Sequence, residues 1–359
     1  MIPVTKPFVP PISEYNKYLK GIWKRNWLTN NGPLVNELEM NLKEFLGVEN
    51  LLYVTNGTVA LQLAIKALDL KGEIVTTPFS YVATTSSIVW EGCTPIFVDI
   101  DPETLNLDPH KLEAAITPKT SAILATHCFG NPCNIELIHQ IAEKHALKVI
   151  YDAAHCFGSK YKNKSVFNYG DISTTSFHAT KLFHTVEGGA VFSSNLKWIE
   201  KLGYMRNFGH NGPEVFSGVG INGKNSEFHA AMGLVNLTFI DKIIQKRKDQ
   251  TLYYNKILEG LPIRTIKLED EEGFNFAYYP VIFESEPITL KVKKELEDNR
   301  IFPRRYFYPS LSKLNYVTGF TPIADDISGR ILCLPVYHEL TKEEQDLVAK
   351  FIKSGLKTI

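Results

Sequence analysis

With 359 residues, 44% of them apolar and 22% charged, the chain has room for roughly two domains and a large core. Its 39 basic and 39 acidic side chains cancel, which argues against nucleic acid as a bulk electrostatic partner but leaves room for a local basic pocket. Five cysteines, Cys93, Cys128, Cys133, Cys156 and Cys333, fall at neither CxxC nor zinc-binding spacing and read as reduced thiols. The first residues lack the basic-then-apolar pattern of a signal peptide, and no apolar run approaches the ~18 residues of a membrane span. A soluble cytoplasmic protein is expected, with no metal.

Residues 1–35 are rich in proline and aromatics and read as an arm ending in the turn Asn30-Asn31-Gly32-Pro33. Leu34, Val35, Leu38, Leu42, Phe45 and Leu46 then have helical spacing. Leu51–Val54 is strand-like, and Thr55-Asn56-Gly57-Thr58 leads into a helix striped by Leu61, Ala64, Ile65 and Leu68. A strand, a tight glycine turn and a helix start aim free backbone N–H groups at an anion. The same residues also read as a plain structural turn with Thr58 as the helix cap. Residues 73–78 form the next strand, followed by Tyr81, an aromatic that alone suggests core packing. Residues 94–100 form another strand. Asp99, Asp101 and Asp108 around it have the character of turn and cap residues. Residues 122–127 read as a buried strand and 135–146 as an amphipathic helix. Strand–helix alternation from 50 to 155 implies crossover units, a mainly parallel sheet, and ligands at the strand C-terminal ends.

The run Val149-Ile150-Tyr151-Asp152-Ala153-Ala154-His155 ends a strand in a carboxylate. Twenty-nine residues after Asp152 comes Lys181, at the end of Ser176-Phe177-His178-Ala179-Thr180-Lys181. Glu187-Gly188-Gly189-Ala190-Val191-Phe192 follows, and the strands flanking Lys181 are expected to differ in polarity. A lone lysine is ordinarily a solvated surface residue, but this one sits between a Ser/His/Thr cluster and a Gly-Gly turn. In such a layout the carboxylate can keep a pyridinium nitrogen protonated and the lysine can hold the ring's aldehyde. Residues 203–225 hold six glycines, a loop too long to be idle in a compact domain. From Ser226 an amphipathic helix runs through Phe228, Ala231, Met232, Leu234, Val235 and Leu237. Past about 245 charge density rises. A strand at 276–283, a helix at 290–298 and the run 332–337 before a last helix at 341–352 suggest a smaller α+β unit. Its loop Arg304-Arg305-Tyr306-Phe307-Tyr308 reads either as a diphosphate site or as surface charge.

Together, Asp152-Ala153-Ala154-His155, Ser176-Phe177-His178-Ala179-Thr180-Lys181 and Glu187-Gly188-Gly189-Ala190 resemble the DegT/DnrJ/EryC1/StrS family, and the likeness covers nearly the whole chain. These are pyridoxal-phosphate-dependent nucleotide-sugar aminotransferases. The resemblance implies an α/β, aspartate-aminotransferase-like fold of type I. Its large domain, residues 1–245, would hold a mostly parallel seven-stranded sheet, and residues 246–359 a smaller α+β domain. It implies pyridoxal 5'-phosphate as cofactor and Lys181 as the catalytic residue. Asp152 would face the pyridinium nitrogen, His155 the phenolic oxygen and Tyr81 the ring face, while Gly57, Thr58 and Ser176 would hold the phosphate. Asn222 would reach a partner's cofactor phosphate across a homodimer interface, and the N-terminal arm would pack beside the site. His178, Arg304 and Tyr308 would touch a nucleotide-linked keto-sugar, with L-glutamate as amino donor. Family members acting on 3-keto sugars tend to carry Phe-Tyr-Pro before the lysine motif; Phe177-His178-Ala179 instead implies amination at C4. The product would be dTDP-4-amino-4,6-dideoxyglucose, for surface polysaccharide. The alternative is a C3 aminotransferase on a 3-keto sugar. A dehydratase branch carries histidine in place of the lysine, which the intact Lys181 opposes. A non-enzymatic regulator on this fold is opposed by the neutral charge and the lack of a recognisable helix-turn-helix.

Overall fold

A computed structural model describes residues 1–357. Its centre is a seven-stranded sheet in the spatial order Leu51–Val54, Gly189–Phe192, Ile172–Ser176, Lys148–Asp152, Thr120–Thr126, Glu73–Thr76, Thr94–Phe97. Gly189–Phe192 runs antiparallel to both neighbours, and the remaining pairings are parallel. The change of polarity therefore falls on the strand after Lys181, as expected from the sequence. Because successive strand residues face opposite sides, alternate positions feed two cores. Ile123, Ala125, Val149 and Tyr151 join Leu34, Leu38 and Phe192 on one side. Ala122, Leu124, Ile150 and Ile172 meet Leu61, Ala64 and Ile65 on the other. A sheet covered on both faces needs such near-continuous apolar strands.

A three-stranded antiparallel sheet, Ile263–Arg264, Tyr279–Phe283 and Ile331–Leu334, has its own core of Val281, Phe283, Val292, Leu296, Leu332 and Ile352. The helix Ile240–Ile257 joins the two units. Ile240 and Ile243 pack into the large-sheet core, while Tyr254 packs into the small one. The 245/246 division drawn from the sequence falls inside this helix. Ile2–Pro3 pairs in parallel with Ile301–Phe302, so Ile2 is buried in the small core.

The N-terminal arm is more ordered than its composition suggests. It carries the helix Ile12–Arg25, docked through Tyr15, Tyr18, Leu19 and Ile22. These follow an i, i+3, i+4, i+7 spacing in which two of the four positions are tyrosines. The turn before the second striped helix also differs in detail. Asn56, not Thr58, caps Gly57–Ala67, its side chain accepting the Val59 N–H at 2.8 Å. The aspartates act as turn and cap residues. Asp108 accepts the His110 N–H, Asp101 those of Glu103 and Thr104, and Asp99 those of Ile323 and Ala324 at the start of a distant helix. All five cysteines are free and buried. Among the described residues no helix is long and apolar enough to cross a membrane, and no group of three or more His, Cys, Asp or Glu side chains could hold a metal ion.

Candidate active site

A cavity of about 740 Å³ opens at the C-terminal ends of the central strands. It is lined by Gly57, Thr58, Tyr81, Asp152, His155 and Ser176, and also by His178 and Lys181. Eight residues singled out from the sequence are thus brought together. Val4 and Thr5 of the arm also line it, beside Tyr278, Tyr306 and Phe307 from the C-terminal part.

Asp152 ends the strand Lys148–Asp152, and only 5% of its surface is exposed. Its carboxylate accepts the Thr84 hydroxyl at 2.7 Å and the Ala154 N–H at 3.1 Å. Burial raises its pKa, while Thr84, Ala154 and the nearby Lys181 charge pull the other way. Lys181 is half-buried, with Nζ 3.4 Å from the Tyr278 hydroxyl. Desolvation lowers its pKa to about 8, outweighing the opposing pull of Asp152 and Tyr81. Roughly one amine in ten is then neutral at pH 7, against fewer than one in a thousand for an ordinary lysine. A neutral amine is what nucleophilic attack and proton abstraction require.

His155 is buried among aromatics. Its ring lies parallel to Phe307 and edge-on to Tyr278, with centroids at 5.6 and 4.8 Å. The Phe129 N–H donates to Nδ1 at 3.2 Å, so the neutral ring carries its proton on Nε2. Burial and the Lys181 charge keep the imidazole well below its ordinary pKa. His155 is therefore a neutral donor at physiological pH.

At the start of the helix Gly57–Ala67, Asn56 occupies two of the early N–H groups: its side chain accepts that of Val59 and its carbonyl that of Ala60. Helix geometry leaves the N–H groups of Gly57 and Thr58 without intrahelical acceptors. A Cβ on residue 57 would lie 2.8 Å from the Ser176 Cβ. Residue 57 must be glycine for the turn to approach Ser176 this closely. A Cβ on residue 189 would lie 2.6 Å from the Asn56 carbonyl carbon. The Gly-Gly pair after Lys181 is thus a packing requirement of the same cradle.

His178 is exposed at the cavity. Its Nδ1 accepts the Thr180 N–H at 3.2 Å, and Nε2 lies 3.5 Å from the Glu187 carboxylate. Three expected residues lie outside the lining. Asn222 is exposed in the glycine-rich loop and accepts from Lys224 at 2.8 Å. Arg304 pairs its backbone with Cys333. Tyr308 is stacked under the Arg305 guanidinium at 3.6 Å. Thr84 and Tyr278 were missed in the sequence. Thr84 lies in no motif, and Tyr278 sits in a run of aromatics that reads as ordinary strand core.

The likeness to known proteins runs the length of the chain. It is 42% identical to a dTDP-4-amino-4,6-dideoxy-D-glucose transaminase of Shigella dysenteriae over 358 residues, 98% of each chain. It is 30% identical to a GDP-perosamine synthase of Vibrio cholerae over 100% of both. Among solved structures, that of DesI in the presence of its TDP-sugar product superposes with a TM-score of 0.93 at 30% identity, covering 99% of this chain and 94% of DesI. A family model matches residues 12–353, and the chain belongs to the DegT/DnrJ/EryC1/StrS aminotransferase family.

Proposed function

We propose that this sugar aminotransferase transfers the amino group of L-glutamate to C4 of dTDP-4-keto-6-deoxyglucose, giving dTDP-4-amino-4,6-dideoxyglucose for a surface polysaccharide. The observation that carries the amine chemistry is Lys181, recessed and partly neutral beside Asp152 in the cavity. The choice of sugar is supported by the 42% identity to a transaminase named for that product.

Pyridoxal phosphate is the cofactor, and when bound it supplies an electron-withdrawing ring that stabilises negative charge on the carbon bearing the nitrogen. The residues present fit it. The Gly57 and Thr58 N–H groups and the Ser176 hydroxyl would hold its phosphate in the cradle that a Cβ at residue 57 would fill. Lys181 would hold its aldehyde, Asp152 its ring nitrogen, His155 through Nε2–H its phenolic oxygen, and Tyr81 its ring face. The desolvated Asp152 carboxylate, fixed by Thr84 and Ala154, keeps a proton on the nitrogen opposite. The Lys181 amine removes a proton from the α-carbon of glutamate, and in the second half-reaction returns one at C4 of the sugar. His178 faces the sugar, and Arg304 and Tyr308 approach its diphosphate.

The site is proposed to be shared by two chains, with Asn222 reaching the partner's cofactor phosphate. The exposed apolar side chains of its loop, Phe208, Val215, Phe216 and Val219, support a covered face there. Steady-state kinetics with glutamate and dTDP-linked 4-keto and 3-keto 6-deoxyhexoses, with products identified by NMR, test the reading. A kcat/KM favouring the 3-keto sugar would move the chemistry to C3. A preference for a GDP-linked sugar would move the nucleotide.

A further inference from the structure

The motifs around Lys181 do not point to Tyr278, yet the Lys181 amine rests 3.4 Å from its hydroxyl. Tyr278 directly precedes the strand Tyr279–Phe283, and two buried side chains fix the backbone before it. Asn275 donates to the carbonyls of His155 and Phe157 at 2.8 and 3.0 Å and accepts the Ala277 N–H at 3.1 Å. This staples residues 275–277 to the segment that follows Asp152. Arg247, from the helix Ile240–Ile257, donates to the Ala277 carbonyl at 2.8 Å. The Tyr278 ring is edge-on to His155 and tilted against Phe129 at 5.6 Å.

Arg247 is an uncommon residue to find there. It is 4% exposed, and its Nε is buried without a hydrogen-bond partner. Burying a cation in this way costs stability. What the guanidinium meets there is the carbonyl of Ala277, one residue before Tyr278.

We propose that Tyr278 is a positioning residue for Lys181: its hydroxyl receives the Nζ amine whenever that amine is free and keeps it within reach of the substrate carbon. This rests on the functional reading above, in which Lys181 alternates between a covalently held and a free state. A free lysine side chain has several rotatable bonds and many conformers. A hydrogen bond selecting one of them preserves a near-attack geometry between proton transfers. The phenol suits both protonation states, since it can accept from an ammonium and donate to a neutral amine. Burial pushes the Tyr278 pKa up, so the group remains a phenol across the working range. The other titratable groups around Nζ are Asp152, Tyr81, Cys156 and His155.

The test is Tyr278→Phe, which keeps the ring and removes the hydroxyl that Lys181 meets. We expect kcat to fall roughly tenfold with the KM for glutamate within about twofold of wild type. A second readout needs no turnover: the pH dependence of Lys181 acetylation by acetic anhydride in cofactor-free protein, followed by mass spectrometry. Loss of an acceptor for the ammonium moves the labelling midpoint from about 8 to lower pH. Wild-type turnover with an unchanged kcat and an unchanged labelling midpoint in the variant overturns this proposal alone. Absence of transamination by the wild type overturns the functional reading with it.

Discussion

The large sheet and residues 277–336 wall the same cavity by different means. On the sheet side, Asp152 and Ser176 are the last residues of neighbouring parallel strands, and Gly57 opens a helix directly after another. Each has its position set by the ladder itself, and no side chain has to search for it. On the other side, Tyr278, Tyr306 and Phe307 are held by ring contacts and by the buried Asn275 and Arg247. The first wall suits chemistry that must be the same in every turnover. The second holds its side chains by packing and by those two buried polar groups, and aromatic packing tolerates exchange more readily than strand register does.

The sharpest way to break this comparison is on the sheet side. Lys181→Ala should abolish turnover, since both the covalent exchange and the proton transfer need that amine; residual transamination in a coupled assay would remove the residue from its assigned role. Asp152→Asn leaves the shape and removes the charge, and kcat should drop roughly 100-fold or more. A mixed preparation of Lys181→Ala and Asn222→Ala chains sharpens the two-chain aspect. If sites are shared, one site in each mixed dimer is intact, and about a quarter of wild-type activity returns. No recovery would place each site within one chain.

Smaller effects test the cradle and the desolvated amine. Gly189→Ala drives a Cβ into the backbone of Asn56, and urea unfolding should show a loss of about 3 kcal/mol. In the cofactor-free chain Lys181 titrates at about 8 when folded, against an ordinary 10.5. The unfolded chain therefore binds more protons between these values, so the penalty is full below about pH 8 and fades as pH rises towards 10.5. Lys181→Met should stabilise the cofactor-free chain at pH 7 by on the order of 1–2 kcal/mol, and by less at pH 10. An equal gain at both pH values would mean that the amine is not desolvated. Outside the lining, on the side of the proposed diphosphate, Arg304→Ala should raise the KM for the sugar nucleotide about threefold with kcat unchanged, the signature of lost uniform binding.

The two walls were also unequally legible in the sequence. Asp152, Lys181 and the Leu61/Ala64/Ile65 stripe were readable because strand ends and helical periods leave local patterns. Asn56 was passed over as the cap in favour of Thr58, a choice of two residues that only the backbone angles resolve. The helix Ile12–Arg25 was hidden because tyrosines occupy two of its four docking positions between lysines. Tyr278 and Thr84 had no local signal at all. Their partners, Lys181 and Asp152, lie 97 and 68 residues away along the chain, and only tertiary packing brings them together.

The ladder between Ile2–Pro3 and Ile301–Phe302 sets an order of events during synthesis. All seven strands of the large sheet lie between residues 51 and 192, and they can pair as soon as that stretch leaves the ribosome. Val4 and Thr5, which line the cavity, must wait for a partner strand made some three hundred residues later. Until then the sheet-side wall stands open to water, and a nascent chain can present Asp152, Ser176 and Lys181 well before it can enclose anything against them.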